Sequence, residues 1–191
     1  MHSLFSHFQP PTTTPSSYNQ PPQQPQPEDH NHPHYSHHNQ QPPPLSPTRD
    51  ELLHSAQAFC TAFASSTPFN TLLNNHFTRR RRNILVHEHG LAQLAPFLGR
   101  AFRGAEGLSQ YLSVVSECVS HEGMRFTEYT VDAESRRVGV RGQARFTWKS
   151  TGQTWDEEFY YVLGFDGEAR VEKYEIWADS GAAWLASRGE L

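Results

Sequence analysis

Residues 137–179 carry three consecutive strand patterns, and this stretch limits the fold more than any other part of the chain. In the first pattern, VGVRGQARFTW, small or apolar residues alternate with polar ones. The second, WDEEFYYVLGF, alternates in the same way and is set apart from its neighbours by TG and DG turn sequences. Side chains of a strand point to opposite faces in turn, so this alternation predicts antiparallel strands with one buried face.

The first 48 residues differ in composition from the rest of the 191-residue chain. They hold twelve of the fourteen prolines and seven of the twelve histidines, and they contain no lysine or arginine. Apolar residues are too few there to offset the entropy of ordering the segment. We therefore predict a disordered Pro/Gln/His-rich tail over residues 1–48 and one folded domain over residues 49–191.

Charge, hydropathy and cysteine content argue against several classes of protein. Two of the twenty acidic residues, Glu28 and Asp29, lie in the tail, so the domain has eighteen against sixteen Lys+Arg, a net charge of −2. Such a balance predicts neither a nucleic acid nor a membrane as partner, and no apolar run approaches the roughly 20 residues of a membrane span. Cys60 and Cys118 lie on apolar faces of predicted helices, as expected of reduced cysteines in the cytoplasm.

Helical patterns come before the strands. The segment Thr48-Arg49-Asp50-Glu51 fits a capping box, and an apolar stripe follows it as far as Phe63. A short helix after Pro68, a strand over residues 83–89, a helix carrying Leu108 and Tyr111, and the strand MRFTEYTVD complete the series. Helices that collect on one face of a curved antiparallel sheet make an α+β domain.

The order of these elements resembles a known family. The segments FRGAEGLSQYL, VDAESRRVGVRGQARFTW, TGQTWDEEFYYVLGFD and VEKYEIWADSGAAWLA carry the resemblance. They are similar to the SnoaL-like branch of the nuclear transport factor 2-like (NTF2-like) superfamily, and most similar to its small fungal members of unknown function. The resemblance implies a cone, in which a strongly bent sheet wraps around three helices and leaves a pocket open at one end.

The same resemblance implies several activities, because one scaffold serves many reactions. Relatives include polyketide cyclases, ketosteroid isomerases, dehydratases and epoxide hydrolases, and isomerase chemistry requires an inward carboxylate and an acidic hydrogen-bond donor. No such pair can be matched residue by residue in this sequence. Relatives usually pair through the sheet, so the resemblance also implies a homodimer.

Several polar and aromatic side chains are candidates for the site. His87 and His89 share one face of a strand, and Glu175 and Asp179 share a row of the last strand, although Asp179 also fits the N-cap of the following helix. The candidates for catalysis are Glu175, Asp179 and His87. The side chains expected to line the pocket are His87, His89, Phe97, Phe102, Trp148, Tyr160 and Trp177. A third metal ligand is not visible beside the histidines, so neither a metal nor a cofactor is expected.

A run of four arginines, Arg79, Arg80, Arg81 and Arg82, could be a nuclear localisation signal or a phosphate-binding patch, and it is the only feature that suggests the nucleus rather than the cytoplasm. The alternative is a solvated turn between a helix and a strand. We favour the turn because a single basic cluster in an acidic domain is weak evidence for a functional site.

Two functions remain open at this stage. The first is a pocket domain that binds a small apolar or polyketide-like molecule, with lyase, isomerase or cyclase activity undecided. The second is a non-catalytic, dimeric interaction or adaptor module. A cavity of roughly 300 Å3 or more with a buried carboxylate would favour the first.

Overall fold

The computed structural model describes residues 46–191, so the predicted disorder of the tail lies outside the described part except for its last three residues. The helices are α1 (Arg49–Ala64), α2 (Phe69–His76), α3 (Gly104–Cys118) and α4 (Ser180–Arg188), with one 3-10 turn at Arg81–Asn83. The strands are β1 (Leu85–Glu88), β2 (Ala101–Arg103), β3 (Val119–Asp132), β4 (Arg137–Trp148), β5 (Thr154–Phe165) and β6 (Val171–Trp177).

The six strands form one sheet in the order β2-β1-β6-β5-β4-β3. Every neighbouring pair is antiparallel except β1 and β6, which run parallel. Register shifts occur at two points of β3, between Glu122 and Arg125 and between Thr127 and Thr130, and such bulges bend a sheet. The predicted α+β class, with a curved, mostly antiparallel sheet and helices against it, is confirmed.

The start of α1 agrees with the sequence pattern. The Thr48 backbone N–H donates to Oε2 of Glu51 at 2.8 Å, and the Glu51 N–H donates to the Thr48 hydroxyl oxygen at 3.3 Å. These reciprocal bonds satisfy two amides that the first turn of a helix leaves unpaired. The predicted capping box is confirmed, and α1 begins at this residue pair.

The arginine run stabilises the end of α2. Arg81 donates from Nη1 to the carbonyls of Leu73 at 2.9 Å and Thr78 at 3.0 Å, and from Nη2 to Oδ1 of Asn74 at 2.8 Å. A guanidinium at a helix C-terminus satisfies unpaired carbonyls and complements the negative end of the helix dipole. Arg81 therefore has a structural role, and no feature of residues 46–191 supports a nuclear localisation signal.

The two central strands alternate as predicted. The β4 row that contains Val138, Val140 and Ala144 faces the helices and is buried. In β5 the row is buried from Phe159 onward, while the intervening residues as far as Val162 are exposed or half-buried. The concave face of the sheet and α1 to α3 thus enclose the core.

The last strand, whose phase the sequence leaves open, has Tyr174 and Ile176 on the concave face. A register shift at Gly164 and Phe165 places Val171 opposite Phe165, so Val171 is also buried, out of phase with simple alternation. Glu175 and Trp177 consequently lie on the convex face, away from the helices.

Both cysteines are free, as predicted, with Cys60 buried and Cys118 half-buried. Burial raises the pKa of the Cys60 thiol to about 12, so it is not a thiolate at neutral pH. Within the described residues, no helix is long and apolar enough to cross a membrane.

Candidate functional site

A cavity of about 590 Å3 lies between the concave face of the sheet and the helices. Its walls come from the α1–α2 connection, α3, the start of α4 and strands β1, β3, β4, β5 and β6. Aromatic rings dominate the lining, and they include Phe63, Phe97, Phe146, Trp155, Phe159 and Tyr161. A cavity of this size, mostly apolar with a few polar groups, has the character of a small-molecule site.

Glu88 is the carboxylate that enters this cavity from β1. Strand alternation directs Val86 and Glu88 inward, and Glu88 is only 8% exposed. Its Oε2 accepts a hydrogen bond of 2.6 Å from the Tyr111 hydroxyl on α3. Burial raises the pKa of Glu88 to about 7, the Tyr111 hydrogen bond opposes the rise, and the charge of Glu157 adds to it. Glu88 therefore exchanges a proton near neutral pH, as a general acid or base requires.

Three tyrosines surround Glu88 at this end of the cavity. The Tyr174 ring lies edge-on to Tyr161, with centroids 4.9 Å apart, and edge-on to Tyr111 at 6.3 Å. The Tyr174 side chain is 1% exposed, and its hydroxyl lies near that of Tyr161 without forming a hydrogen bond of good geometry. Burial and the Tyr161 hydroxyl raise the pKa of this phenol well above its ordinary value, so it stays protonated. A buried hydroxyl in a cavity wall whose hydrogen bond is poorly formed can bind a polar atom of a ligand.

Glu157 is a second carboxylate in the cavity wall, on the inward row of β5. It accepts hydrogen bonds from the Trp155 indole N–H and from the backbone N–H of Asp179. Burial raises the pKa of Glu157, and these two hydrogen bonds oppose the rise. Asp179 also borders the cavity, but its Oδ1 accepts from the amides of Gly181 and Ala182 at 2.9 and 3.1 Å, so it is the N-cap of α4.

The charged side chains of the cavity lining are acidic. Glu88, Glu157 and Asp179 contribute carboxyl groups, His121 contributes an imidazole, and no lysine or arginine belongs to the lining that the described residues form. Burial lowers the pKa of His121, which favours its neutral form. Among residues 46–191, no group of three or more His, Cys, Asp or Glu side chains is placed to hold a metal ion.

Comparisons with known proteins agree with this architecture. No protein-family model matches the sequence, and no curated protein matches it. An NTF2-like protein from Burkholderia xenovorans LB400 superposes with a TM-score of 0.58 at 21% identity, covering 73% of this chain and 98% of that one. The chain has the NTF2-like fold.

Two further solved structures share this fold. A protein described as a SnoaL-like polyketide cyclase from Jannaschia sp. CCS1 superposes with a TM-score of 0.58 at 13% identity, covering 74% of this chain and 94% of that one. TerC, co-crystallised with polyporic acid, superposes with a TM-score of 0.58 at 16% identity, covering 72% and 98%. The resemblance inferred from the sequence is confirmed at the level of the fold.

Three aromatic residues expected to line the pocket are buried in the NTF2-like domain, but only one reaches the cavity. Phe97 lies in the cavity wall. Phe102 packs edge-on against Tyr111 with ring centroids 5.4 Å apart, and it is not part of the lining. Trp148 packs against Phe97 at 6.4 Å and donates from its indole N–H to the Ser150 hydroxyl, also outside the lining. Both are core residues.

The other four expected lining residues lie on the convex face of the sheet, so their assignment is corrected. His89 stacks between His87 and Trp177, with ring centroids 4.3 and 4.0 Å apart. Tyr160 is 38% exposed, and its hydroxyl lies over Gly139. The physical reason is alternation, because Tyr161 and Glu88 occupy the inward positions next to them.

The catalytic candidates Glu175 and His87 lie outside the cavity for the same reason. Glu175 Oε1 is 3.5 Å from Nε2 of His89, a close contact without hydrogen-bond geometry. Burial and the neighbouring His89 imidazole lower the pKa of His87, whereas the charge of Glu175 opposes this. These three side chains form a polar cluster on the convex face.

Sequence reasoning missed Glu88, Glu157 and Tyr174 as one site. Strand alternation could have identified Glu88. It lies two residues after Val86, so the two side chains share a face, and an apolar valine is expected on the buried face. Instead, the flanking residues His87 and His89 were predicted to line the pocket, which placed the opposite face of the strand toward the cavity.

Proposed function

We propose that this domain binds a small, mostly apolar molecule inside the cone and orients one polar group of that molecule toward Glu88. The observation that carries the proposal is a cavity of about 590 Å3 with a carboxylate 8% exposed at its wall. Burying Glu88 without a cation costs folding free energy, and such a cost is common at binding and catalytic sites. TerC, which shares the fold, was crystallised with polyporic acid, in keeping with a ligand in such a scaffold.

The geometry also supports proton transfer to or from the bound molecule, as in a lyase, isomerase or cyclase reaction. Glu88 has a pKa of about 7, close to the pH at which a cytoplasmic enzyme works. Tyr111 holds the carboxylate in place through Oε2, and Tyr174 presents a buried hydroxyl that has no hydrogen bond of good geometry. Glu88 would move the proton, and the Tyr174 hydroxyl would donate a hydrogen bond to an oxygen on which negative charge develops.

A thermal-shift screen of the full chain against polyketides, steroids and terpenoid epoxides tests binding. A ligand that binds only the folded state stabilises it by about 2.7 kcal/mol at a hundredfold excess over its dissociation constant. We expect a hit whose shift is abolished by Ala183→Phe, which fills the cavity from α4. The matched control is Ala182→Phe, because Ala182 does not belong to the lining. A shift that survives Ala183→Phe would contradict binding inside the cone.

The convex face supports a second candidate function, a protein contact within a homodimer. Trp177 is 41% exposed and Tyr160 is 38% exposed, so two large aromatic side chains meet solvent on β6 and β5. Exposed aromatic residues of this kind are enriched at protein interfaces. Sedimentation velocity on the full chain tests this, with a dimer that Trp177→Ser weakens as the expected result. A monomer at all concentrations would contradict it.

A further inference from the structure

Every ionisable side chain of the cavity lining is acidic except His121, and the described part of the chain contributes no lysine or arginine to it. Glu88 is buried and Glu157 is half-buried, and the charge of Glu157 adds to the rise that burial causes in the pKa of Glu88. Two acidic groups that repel one another in a poorly solvated space would be stabilised together by one positive charge between them. A bound anion would have the opposite effect and would face repulsion from both.

The aromatic lining favours the same sign of charge. Phe63, Phe159, Trp155, Tyr161 and Tyr174 present rings to the cavity. The face of an aromatic ring is negative, so an ammonium group near it gains cation–π attraction that a carboxylate or phosphate does not. The rest of the ligand would find apolar surface on the same rings.

The hydroxyl oxygen of Tyr174 fits a donor-rich ligand group. The hydroxyl is buried beside that of Tyr161, to which its proton is directed, so its oxygen remains able to accept a hydrogen bond. The Glu88 oxygen that is not bonded to Tyr111, Oε1, accepts no hydrogen bond from residues 46–191. An alkylammonium carries up to three N–H donors, and the Glu88 and Tyr174 oxygens are both acceptors for them.

We propose that the ligand of this cavity is an apolar molecule bearing a basic amine, whose ammonium group pairs with Glu88 and accepts cation–π contact from the surrounding aromatic rings. This inference rests on the proposed function, since it names the class of molecule that the cone binds. A neutral alcohol or ketone is the competing class, because it avoids the cost of desolvating a charge. The amine is favoured because its charge pairs with the ionised form of Glu88 and meets the negative faces of the aromatic rings, and a neutral ligand gains neither.

The inference can be tested with three ligands that share a ring system and differ in charge: naphthylmethylamine, naphthylmethanol and naphthoate. Isothermal titration calorimetry of the full chain near pH 7 is expected to show the amine binding at least about tenfold more tightly than the alcohol, with naphthoate weakest. Glu88→Gln keeps the shape of the side chain and is expected to remove the preference for the amine. The matched control, Glu175→Gln, changes a carboxylate on the convex face and should leave the preference intact.

A second readout separates charge pairing from a change of shape. Ammonium binding should drive a proton off Glu88, so titrations in buffers of different ionisation enthalpy should reveal proton release with the amine and none with the alcohol. Tyr111, Glu157 and His121 also line the cavity, and loss of the release in Glu88→Gln assigns it to Glu88. If that variant does not fold, Tyr174→Phe provides the test, since loss of an acceptor should weaken the amine more than the alcohol.

The outcomes separate the inference from the proposed function. If the alcohol binds as tightly as the amine, the inference is wrong, whereas binding inside the cone stands. A preference for the amine that persists in Glu88→Gln would also overturn the inference. If none of the three binds, the inference fails, and the screen of neutral polyketides, steroids and epoxides decides the proposed function separately.

Discussion

The Tyr111 hydroxyl donates a hydrogen bond of 2.6 Å to Oε2 of Glu88, joining the middle of α3 to the end of β1. Both side chains are buried, with 3% exposure for Tyr111 and 8% for Glu88. The bond occupies one carboxylate oxygen and fixes the plane of the group, so the second oxygen keeps a defined direction. Removing either partner leaves the other buried and unsatisfied, which gives the pair consequences for stability as well as for chemistry.

Glu88 should make stability fall as pH rises. Its pKa is about 7 in the folded protein against 4.5 in the unfolded chain, so the folded state binds more protons between these values. The contribution of Glu88 to the free energy of unfolding is fully present below about pH 4.5 and is lost as pH rises through about 7. The cost at high pH is about 3 kcal/mol, which Glu88→Gln should remove.

Urea unfolding at pH 5, 6, 7 and 8 measures this effect. The difference in the free energy of unfolding between Glu88→Gln and wild type should change in favour of the variant as pH rises. Glu157 acts in the same direction and His121 in the opposite one, so the comparison with the variant is needed to isolate Glu88. A pH-independent difference would show that Glu88 titrates normally.

Gly142→Ala should destabilise the domain more than Gly139→Ala, although both glycines lie in β4. A Cβ at Gly142 would lie 2.1 Å from the Phe159 ring, which is buried in the cavity wall, and we expect a loss of about 1–3 kcal/mol. A Cβ at Gly139 would lie 2.2 Å from the Tyr160 hydroxyl, whose exposed ring can move aside, so the change should stay within about 0.5 kcal/mol. Equal losses in thermal unfolding would contradict the assignment of the two faces.

Arg81→Ala should lower the free energy of unfolding by about 1–3 kcal/mol, because it removes charged hydrogen bonds to the C-terminal end of α2. Arg82→Ala is the control, since Arg82 is exposed, and its effect should stay within about 0.5 kcal/mol. Chemical denaturation of both variants provides the comparison. If the two arginines prove interchangeable, the run is not a structural element.

Tyr111→Phe should raise the pKa of Glu88 further. The hydrogen bond from the tyrosine favours the ionised carboxylate, so its loss moves the titration midpoint upward. Tyr160→Phe removes a hydroxyl on the convex face and should leave the midpoint unchanged. A carboxyl-detected NMR titration of the variants measures both, and an unchanged midpoint in Tyr111→Phe would mean that the bond does not form in solution.

The sheet could be predicted from sequence because β4 and β5 are long and alternate without interruption. Val138, Val140, Phe159 and Tyr161 lie on the face that alternation assigns to them. The phase of β6 could not be predicted, because the register shift at Gly164 breaks the count along the chain. The assignments of Glu175 and Trp177 depended on that phase.

The site was harder to predict than the sheet because its central residues contradict simple patterns. Glu88 is a carboxylate on the buried row of a four-residue strand, a length over which alternation is weak evidence. Its partner, Tyr111, was predicted only as part of an apolar helix stripe, and the two meet through tertiary packing across 23 positions of sequence. Phe102 and Trp148 show the converse error, since a large aromatic residue is more often core than lining.

The titration of the Glu88 carboxyl carbon by NMR, in the full chain, tests the central claim most directly. The signal can be assigned by its absence in Glu88→Gln. A carboxylate that faces the interior of the cone should titrate with a midpoint near 7, and ligand binding should shift that midpoint. A midpoint near 4.5, the ordinary value for glutamate, would place Glu88 in solvent and contradict the account.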